Sequence, residues 1–237
     1  MQEVPKKFKS SPKKYQPKGL TLLYEDYDIL VVDKRSGLLT ISTDKEKEHT
    51  AYHLLNEYVK KGNSKSRNRI YIVHRLDKDT SGVIVFAKTE EAKRYLQHEW
   101  KNFEKKYYAV VHGSLSKEEG LITSYLAENS IHRMYSVTDP AKGKLAKTQY
   151  KVLKESNHFS LLEIKLLTGR KNQIRIHLAE AGCPIAGDKK YGEKRATMGI
   201  KRLTLHAASM TIRHPHTKEK MTFEAKVPLY FNFLMGR

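Results

Sequence analysis

The sequence predicts an α+β fold in which a mixed, mostly antiparallel sheet is flanked by helices. Ile70–Val73 and Val83–Ala87 are short apolar runs rich in β-branched residues and without clean alternation, which favours strands buried on both faces. Apolar residues at i, i+3, i+4, i+7 and i+8 over 51–59 predict an amphipathic helix. Short strand-like runs over 121–153, joined by turns containing Gly and Lys, are typical of an antiparallel section.

Composition limits the classes of partner. The 237 residues include 45 Lys+Arg and 26 Asp+Glu, giving a formal charge of +19. This excess predicts a polyanionic partner, with nucleic acid the first candidate and an anionic membrane surface the second, although merely soluble basic proteins share it. A single cysteine, Cys183, excludes an internal disulfide and a multi-cysteine zinc site. No stretch resembles a membrane span or signal peptide, so we expect a cytoplasmic location and no membrane contact.

The first part of the chain divides into a terminal arm and a series of strands and helices. Residues 1–18 carry six lysines and three prolines, which predicts a flexible basic arm that either becomes ordered on RNA or stays a solvated tail. We expect residues 19–237 to form one domain. Strands are predicted over Leu20–Tyr24 and Ile29–Asp33. Thr50 and Thr89 are suitable N-caps for two helices. Trp100 lies on the inner face of the second helix, where packing is favoured over base stacking.

The second part of the chain is richer in strands. The predicted strands are Lys105–His112, Leu121–Tyr125, Met134–Val137, Leu145–Leu153, His158–Thr168, Arg202–Pro215 and Met221–Ala225. A helix is predicted with Asn172 as its N-cap and with Ile174, Leu178 and Ala181 on its apolar face. A short helix over Pro228–Leu234 ends the chain.

The polar loop between the two buried strands, His74–Gly82, is the first candidate for a functional site. It places Asp77 and Asp79 beside His74, Arg75 and Lys78. Nearby cations favour the ionised form of a carboxylate, so this loop suits a nucleophile or an electrostatic stabiliser better than a general acid. The same residues also fit an ordinary surface turn with solvated charges. From residue chemistry alone both interpretations remain open.

The sequence of this loop resembles a known family. His74-Arg75-Leu76-Asp77 followed by Thr80-Ser81-Gly82 is similar to the HRLDxxTSG signature of the RluA-type RNA pseudouridine synthases. The resemblance implies that Asp77 is the catalytic residue. Asp79-Thr80-Ser81-Gly82 is also similar to the aspartic protease tetrapeptide, but those enzymes need two carboxylates that share a proton, and no second copy occurs.

Two further segments extend the resemblance over roughly Leu20 to the C-terminus. Thr168–His177 matches the TGRxHQIRxH motif of the family, except that Asn172 stands where His is usual. By resemblance Arg175 pairs with the catalytic Asp77, and Arg170 contacts the RNA backbone. On physical grounds a cationic helix start favours a nearby anion, either RNA phosphate or Asp77 itself, unless the arginine side chains bend away into solvent.

The resemblance names two more substrate-binding residues. Tyr107 matches the tyrosine of the K-x-Y-x-A pattern, which implies stacking against a flipped-out uracil. Arg75 would fill the space that the flipped base vacates, since a planar guanidinium can stack on bases. His206, His214 and His216 are not grouped with Cys or carboxylates in the sequence, so we expect structural histidines and no metal. The reaction needs no cofactor.

The leading hypothesis is an RNA pseudouridine synthase of the family fold, a bent sheet with a central RNA-binding cleft. Its substrate would be rRNA or tRNA, with single or dual specificity, and we expect a monomer without an obligate protein partner. Many relatives carry an additional N-terminal RNA-binding domain, for which we expect no room. The alternative is a catalytically idle RNA-binding or ribosome-assembly factor of the same fold. A metal-dependent nuclease would need clustered carboxylates, which the sequence lacks.

Overall fold

The computed structural model describes residues 16–43, 46–192 and 199–236. Most of the arm predicted over 1–18 therefore lies outside the described residues. The strands are β1 Leu20–Glu25, β2 Ile29–Lys34, β3 Tyr71–Ile72, β4 Ser81–Ala87, β5 Glu104–His112, β6 Glu119–Glu128, β7 Met134–Val137, β8 Lys144–Glu155, β9 Phe159–Leu166, β10 Leu205–Arg213 and β11 Lys220–Glu224, and the helices are α1 Ala51–Lys60, α2 Glu90–His98, α3 Gln173–Glu180 and α4 Tyr230–Leu234. None of the described helices is long and apolar enough to cross a membrane.

The described strands form one sheet of mixed direction. The main path runs β1-β2-β4-β10-β5-β9-β8-β6-β7, with β11 paired to β10 and β3 paired to β4. The β4–β10 pair is parallel, and the other pairs between described strands are antiparallel. The predicted mixed, mostly antiparallel sheet flanked by helices is confirmed.

Helices cover both faces of the central strands, which explains why these strands are continuously apolar. Leu30 and Val32 of β2 pack into a core that includes residues of α1 and α3. Ile29 and Val31 of the same strand pack into a second core with α2. Successive side chains of a strand point to opposite faces, so a strand between two helical layers needs apolar residues at every position.

The two predicted N-caps are confirmed by hydrogen bonds. Thr50 Oγ1 accepts from the amide of His53 at 3.1 Å, and Thr89 Oγ1 accepts from the amide of Ala92 at 3.1 Å. Each bond satisfies one of the free amides of a first helical turn. The second helix ends at His98 and continues as a 3₁₀ turn over Glu99–Asn102.

Three predictions about the length or burial of an element were wrong. The strand expected over Ile70–Val73 is only Tyr71–Ile72, and it is half-buried. The N-terminal half of β10 is buried on both faces rather than one, because it lies in the middle of the sheet. Ala181 is exposed, whereas α3 is buried almost all round, since this helix packs against β6, β7 and β8 as well as the central core.

Candidate active site

The backbone of the loop between β3 and β4 is hydrogen-bonded by Lys34, the last residue of β2, and by Thr40 in the segment that follows. Lys34 Nζ donates to the carbonyl oxygens of Lys78 at 3.1 Å, Leu38 at 2.8 Å and Arg35 at 3.2 Å. Thr40 Oγ1 donates to the carbonyl of Leu76 at 2.7 Å and accepts from the amide of the same residue at 3.2 Å. The loop is therefore held on both sides of its aspartate, and its exposed side chains project from a rigid base.

Lys34 is a buried cation beneath this loop. Burial lowers its pKa to about 8, although the negative charges of Asp79, Asp77 and Asp33 oppose that shift. A lysine at the end of an apolar strand is a sequence signal for a buried cation. Its three carbonyl partners, however, are brought together only by the tertiary structure.

The end of the loop enters β4 through a glycine that no other residue can replace. Gly82 has φ +114°, and a Cβ there would lie 2.2 Å from the carbonyl oxygen of Ala207 on the parallel strand β10. Ser81 Oγ hydrogen-bonds Nδ1 of the buried His206 at 2.9 Å, and Nε2 of that ring is 3.3 Å from the carbonyl of Ala225. The Ser-Gly pair of the loop thus fixes how closely β4 and β10 approach.

All five predicted site residues, Asp77, Arg75, Tyr107, Arg170 and Arg175, line one pocket of about 350 Å³. Asp77 is the only carboxylate among its described lining residues. Arg75 and Arg170 are exposed, whereas Tyr107 and Arg175 are buried. The five residues come from three separate stretches of the chain, and only folding brings them to one pocket.

The predicted contact between Arg175 and Asp77 is present, but the arginine has a stronger partner. Arg175 Nη1 lies 3.4 Å from Asp77 Oδ2. The same guanidinium donates from Nε and Nη2 to the two carboxylate oxygens of Asp188 at 2.7 and 2.8 Å, and Nη1 donates to Asn172 Oδ1 at 3.0 Å. Bidentate pairs of this kind fix the plane of the guanidinium. Asp188 was not predicted as a site residue.

The pair between Arg175 and Asp188 leaves Asp77 only loosely paired. Burial opposes ionisation of Asp188, but the hydrogen bonds and charge of Arg175, with the amides of Tyr191 and Lys190, lower its pKa overall. Burial also opposes the charge of Arg175, and the two carboxylates outweigh it and raise its pKa. Arg175 therefore gives its shortest hydrogen bonds to Asp188, while Asp77 is contacted at 3.4 Å and its side chain stays partly exposed.

The N-terminus of α3 differs from the prediction. Asn172 occupies the N-cap position but has a left-handed backbone, φ 56°, and its side chain makes no capping hydrogen bond. Its amide instead bridges Arg175 and Tyr191, donating from Nδ2 to the hydroxyl of Tyr191 at 3.1 Å. Asn tolerates this conformation better than most residues. At the position where His is usual in the related motif, Asn172 thus helps to hold the arginine.

Tyr107 forms an apolar wall of the pocket. Burial, followed by the negative charge of Asp77, raises the pKa of its hydroxyl above the ordinary value. The phenol therefore stays protonated at neutral pH. Ile174 and Leu205 also line the pocket, so its inner part combines one carboxylate with a ring face and aliphatic groups.

His74 and Trp100 also line the pocket, and His74 differs from its expected charge. Burial and the charge of Lys105 lower the pKa of His74 to about 3, and Nε2 accepts from the amide of Val85 at 3.1 Å, so this residue is neutral rather than a potential cation. The ring of Trp100 lies 4.3 Å from that of His74 and 6.1 Å from that of Phe103. Trp100 packs as predicted, but it also lines the pocket.

Two of the three histidines considered as metal ligands, His206 and His214, are buried and hydrogen-bonded. His206 is satisfied as described above. His214 Nε2 lies 2.8 Å from Asp26 Oδ2, and Asp26, Asp28 and His214 form the one group of potential metal ligands among the described residues. Folding thus brings carboxylates to His214 that the sequence did not group with it. However, Asp26 Oδ1 already accepts from the amides of Asp28 and Ile29, as expected for a turn.

Comparison with known proteins gives consistent matches. The family described as RNA pseudouridylate synthase matches residues 28–180. An uncharacterized RNA pseudouridine synthase of Bacillus subtilis is 37% identical over 216 residues, covering 90% of this chain and 71% of the relative. The dual-specificity RNA pseudouridine synthase RluA of Escherichia coli is 35% identical over 215 residues, covering 89% and 94%. The structure of human RNA pseudouridylate synthase domain containing 4 superposes with a TM-score of 0.74 at 24% identity, covering 89% of each chain.

Proposed function

The chain belongs to the RNA pseudouridylate synthase family, and from that premise we propose that Asp77 is its catalytic residue. The protein is an isomerase that converts uridine in RNA to pseudouridine. The observation that carries the assignment of Asp77 is its position as the only carboxylate among the described residues that line the shared pocket.

The reaction explains what the pocket must supply. The bond between N1 of uracil and C1′ of ribose breaks, the base rotates, and C5 bonds to C1′; the hydrogen on C5 is lost and N1 gains one. An ionised carboxylate beside the ribose and base can act as a nucleophile or stabilise developing positive charge. Asp77 suits either task, because Arg175 orients it at 3.4 Å without a closer bond to its oxygen.

The walls of the pocket suit a base that has left its stack. We assign to Tyr107 the role of stacking on uracil, which its buried ring and protonated hydroxyl support. Flipping a nucleotide costs a few kcal/mol, which contacts in the pocket must offset. Arg75 and Arg170 are both exposed at this pocket. We assign to Arg75 the role of filling the vacated stack and to Arg170 the role of binding backbone phosphate.

We propose rRNA or tRNA as the substrate. Similar proteins are named as ribosomal large subunit pseudouridine synthases, from Nitrosomonas europaea and Rickettsia bellii, and as a dual-specificity RNA pseudouridine synthase. The formal charge of +19 supports binding to either RNA. A cytoplasmic monomer that acts without an obligate protein partner completes the proposal.

Mapping of pseudouridine in total RNA tests the proposal directly. RNA from cells with and without this gene is treated with a reagent that marks pseudouridine and is read by primer extension. We expect a site in rRNA or tRNA that is lost without the gene and is restored by the wild type but not by Asp77→Asn, because the substitution removes only the charge. Restoration by Asp77→Asn would contradict the role of this carboxylate. An unchanged map with RNA binding intact would favour the idle RNA-binding factor.

A further inference from the structure

One aromatic side chain contacts the site arginine without lining the pocket of Asp77. Tyr191 lies in the segment between α3 and β10 and is not among the described residues that line this pocket. The guanidinium carbon of Arg175 lies over its ring, 5.2 Å from the ring centroid. An aromatic ring in this position attracts the positive charge of the arginine. Any effect of Tyr191 on the reaction therefore passes through the arginine and its neighbours rather than through contact with the base.

The hydroxyl of Tyr191 reaches the same arginine through Asn172. A guanidinium carries only hydrogen-bond donors, so the group that faces its Nη1 must be an acceptor. Oδ1 of Asn172 accepts from Nη1 of Arg175 at 3.0 Å, and Nδ2 of the same side chain donates to the hydroxyl oxygen of Tyr191 at 3.1 Å. A side-chain amide has an accepting end and a donating end. The hydroxyl that accepts from Nδ2 thus keeps Oδ1 turned toward the arginine.

Asn172 holds the nitrogen of Arg175 that lies next to Asp77. Asp188 accepts from Nε and Nη2, so that pair does not use Nη1. Nη1 lies 3.4 Å from Asp77 Oδ2. As an NH₂ group, it donates to Asn172 with one hydrogen and keeps the other for Asp77. The link from Tyr191 through Asn172 therefore ends at the nitrogen that orients the proposed catalytic carboxylate.

Tyr191 is itself held in place from several sides. Its hydroxyl also accepts from the amide of Met134, at the start of β7, at 3.3 Å. Its own amide donates to Asp188 Oδ1 at 3.0 Å. The ring packs against a small apolar cluster from β6, β7, β8 and α3, formed by Leu126, Met134, Ala146 and Ile176. Tyr191 is therefore a fixed support for the side chains that it contacts, as positioning requires.

We propose that Tyr191 is a positioning residue: its hydroxyl orients the amide of Asn172, which in turn keeps Nη1 of Arg175 directed at Asp77. The inference rests on the proposed function of Asp77 and adds a residue that acts on the reaction without contacting the substrate. Since Tyr191 acts through the arginine, its loss slows the reaction of bound RNA and leaves the affinity for RNA unchanged.

Removal of one hydroxyl, compared with a matched control, tests the proposal. Tyr191→Phe deletes the acceptor of Asn172 Nδ2 but keeps the ring over which Arg175 lies. The control is Tyr71→Phe, at a half-buried tyrosine that is not among the residues that line the pocket. The hydroxyl of Tyr71 accepts from Nε of Arg69 at 2.8 Å, and the guanidinium carbon of that arginine lies 5.0 Å from the ring centroid. Both variants thus lose a hydrogen-bonded hydroxyl beside an arginine, and neither changes the charge.

The measurements separate binding from reaction. The probe is a stem–loop transcript that contains the uridine identified by mapping. Single-turnover rates at saturating RNA and the dissociation constant are measured for each protein, below its melting temperature, so that folded proteins are compared. We expect Tyr191→Phe to react on the order of 3- to 10-fold more slowly than wild type, since one hydrogen bond is lost, and to bind RNA within about twofold of wild type. Tyr71→Phe should match wild type in both.

A double variant separates a positioning role from a general loosening of the fold. Asn172→Gly tolerates the left-handed backbone of this position and removes the amide that Tyr191 orients. It should slow the reaction at least as much as Tyr191→Phe does. Adding Tyr191→Phe to Asn172→Gly should slow the reaction by less than about twofold further, because the hydroxyl no longer has an amide to orient.

The outcomes distinguish this inference from the proposed function. If wild type forms pseudouridine and Tyr191→Phe reacts as fast, Tyr191 does not position Arg175. Weaker RNA binding at an unchanged saturated rate, or equal losses of rate from Tyr191→Phe with and without Asn172→Gly, would also overturn the inference. If wild type binds the transcript but forms no pseudouridine, the proposed function itself fails, and the inference that rests on it fails with it.

Discussion

Replacing Arg175 affects two carboxylates at once. The side chain contacts Asp77 at 3.4 Å, but it also donates two shorter hydrogen bonds to Asp188, which is 1% exposed. Arg175→Met therefore removes the group that orients Asp77 and leaves a buried carboxylate without its cation. The double variant with Asp188→Asn removes this charge as well, so the stability effect can be separated from the catalytic one.

The structure sets the expected size of each effect. Breaking a buried pair by removing one partner costs about 3–5 kcal/mol. Asp188 keeps hydrogen bonds from the amides of Lys190 and Tyr191 at 2.8 and 3.0 Å, so we expect about 3 kcal/mol for Arg175→Met, or a melting temperature lower by roughly 6–12 °C. The double variant should recover to within about 1–2 kcal/mol of wild type, because the uncompensated charge is gone.

Urea unfolding and single-turnover assays measure both quantities. Both variants should form pseudouridine on the order of 100-fold more slowly than wild type, since a misplaced reacting group typically costs that much. A double variant with the wild-type rate would show that Arg175 is not needed to position Asp77. A single variant as stable as wild type would refute the claim that Asp188 depends on this cation.

Two further predictions concern titratable groups near the loop. Lys34 donates three hydrogen bonds when its amine is protonated but only two when it is not, so the activity of wild type should fall as pH rises through about 8. Lys34→Met should have lower activity that does not fall in this pH range. A fall shared by both proteins would show that another group titrates. Folded Asp33 holds its proton to about pH 6 against an ordinary 3.8, so its contribution to the free energy of unfolding falls as pH rises between these values. Asp33→Asn can still accept a hydrogen bond from the amide of Gly82 but carries no charge, so it should remove this loss of stability. Urea unfolding at pH 7 should show the variant to be more stable than wild type by about 1–2 kcal/mol. Equal stabilities at that pH would contradict the prediction.

Local patterns in the sequence were sufficient for most elements. Thr50 and Thr89 act as caps because a hydroxyl just before an apolar period can satisfy a free amide within its own turn. The continuous apolar run of β4 predicted a strand buried on both faces, and its residues are all buried. The pattern failed at Asn172, because Arg175 and Tyr191 are better partners for its side chain than the helix amides, and neither contact is visible as a capping signal.

The sequence alone determined most of the elements, the mixed sheet and, through its resemblance to a family, five site residues that all line the pocket. These features depend on short-range periodicity and on side-chain types at fixed spacing, which a linear pattern records. Tertiary structure alone decided that Asp188 is the main partner of Arg175 and that Lys34 lies under the loop. Burial and charge neutralisation depend on which distant segments meet, and no local pattern contains that information.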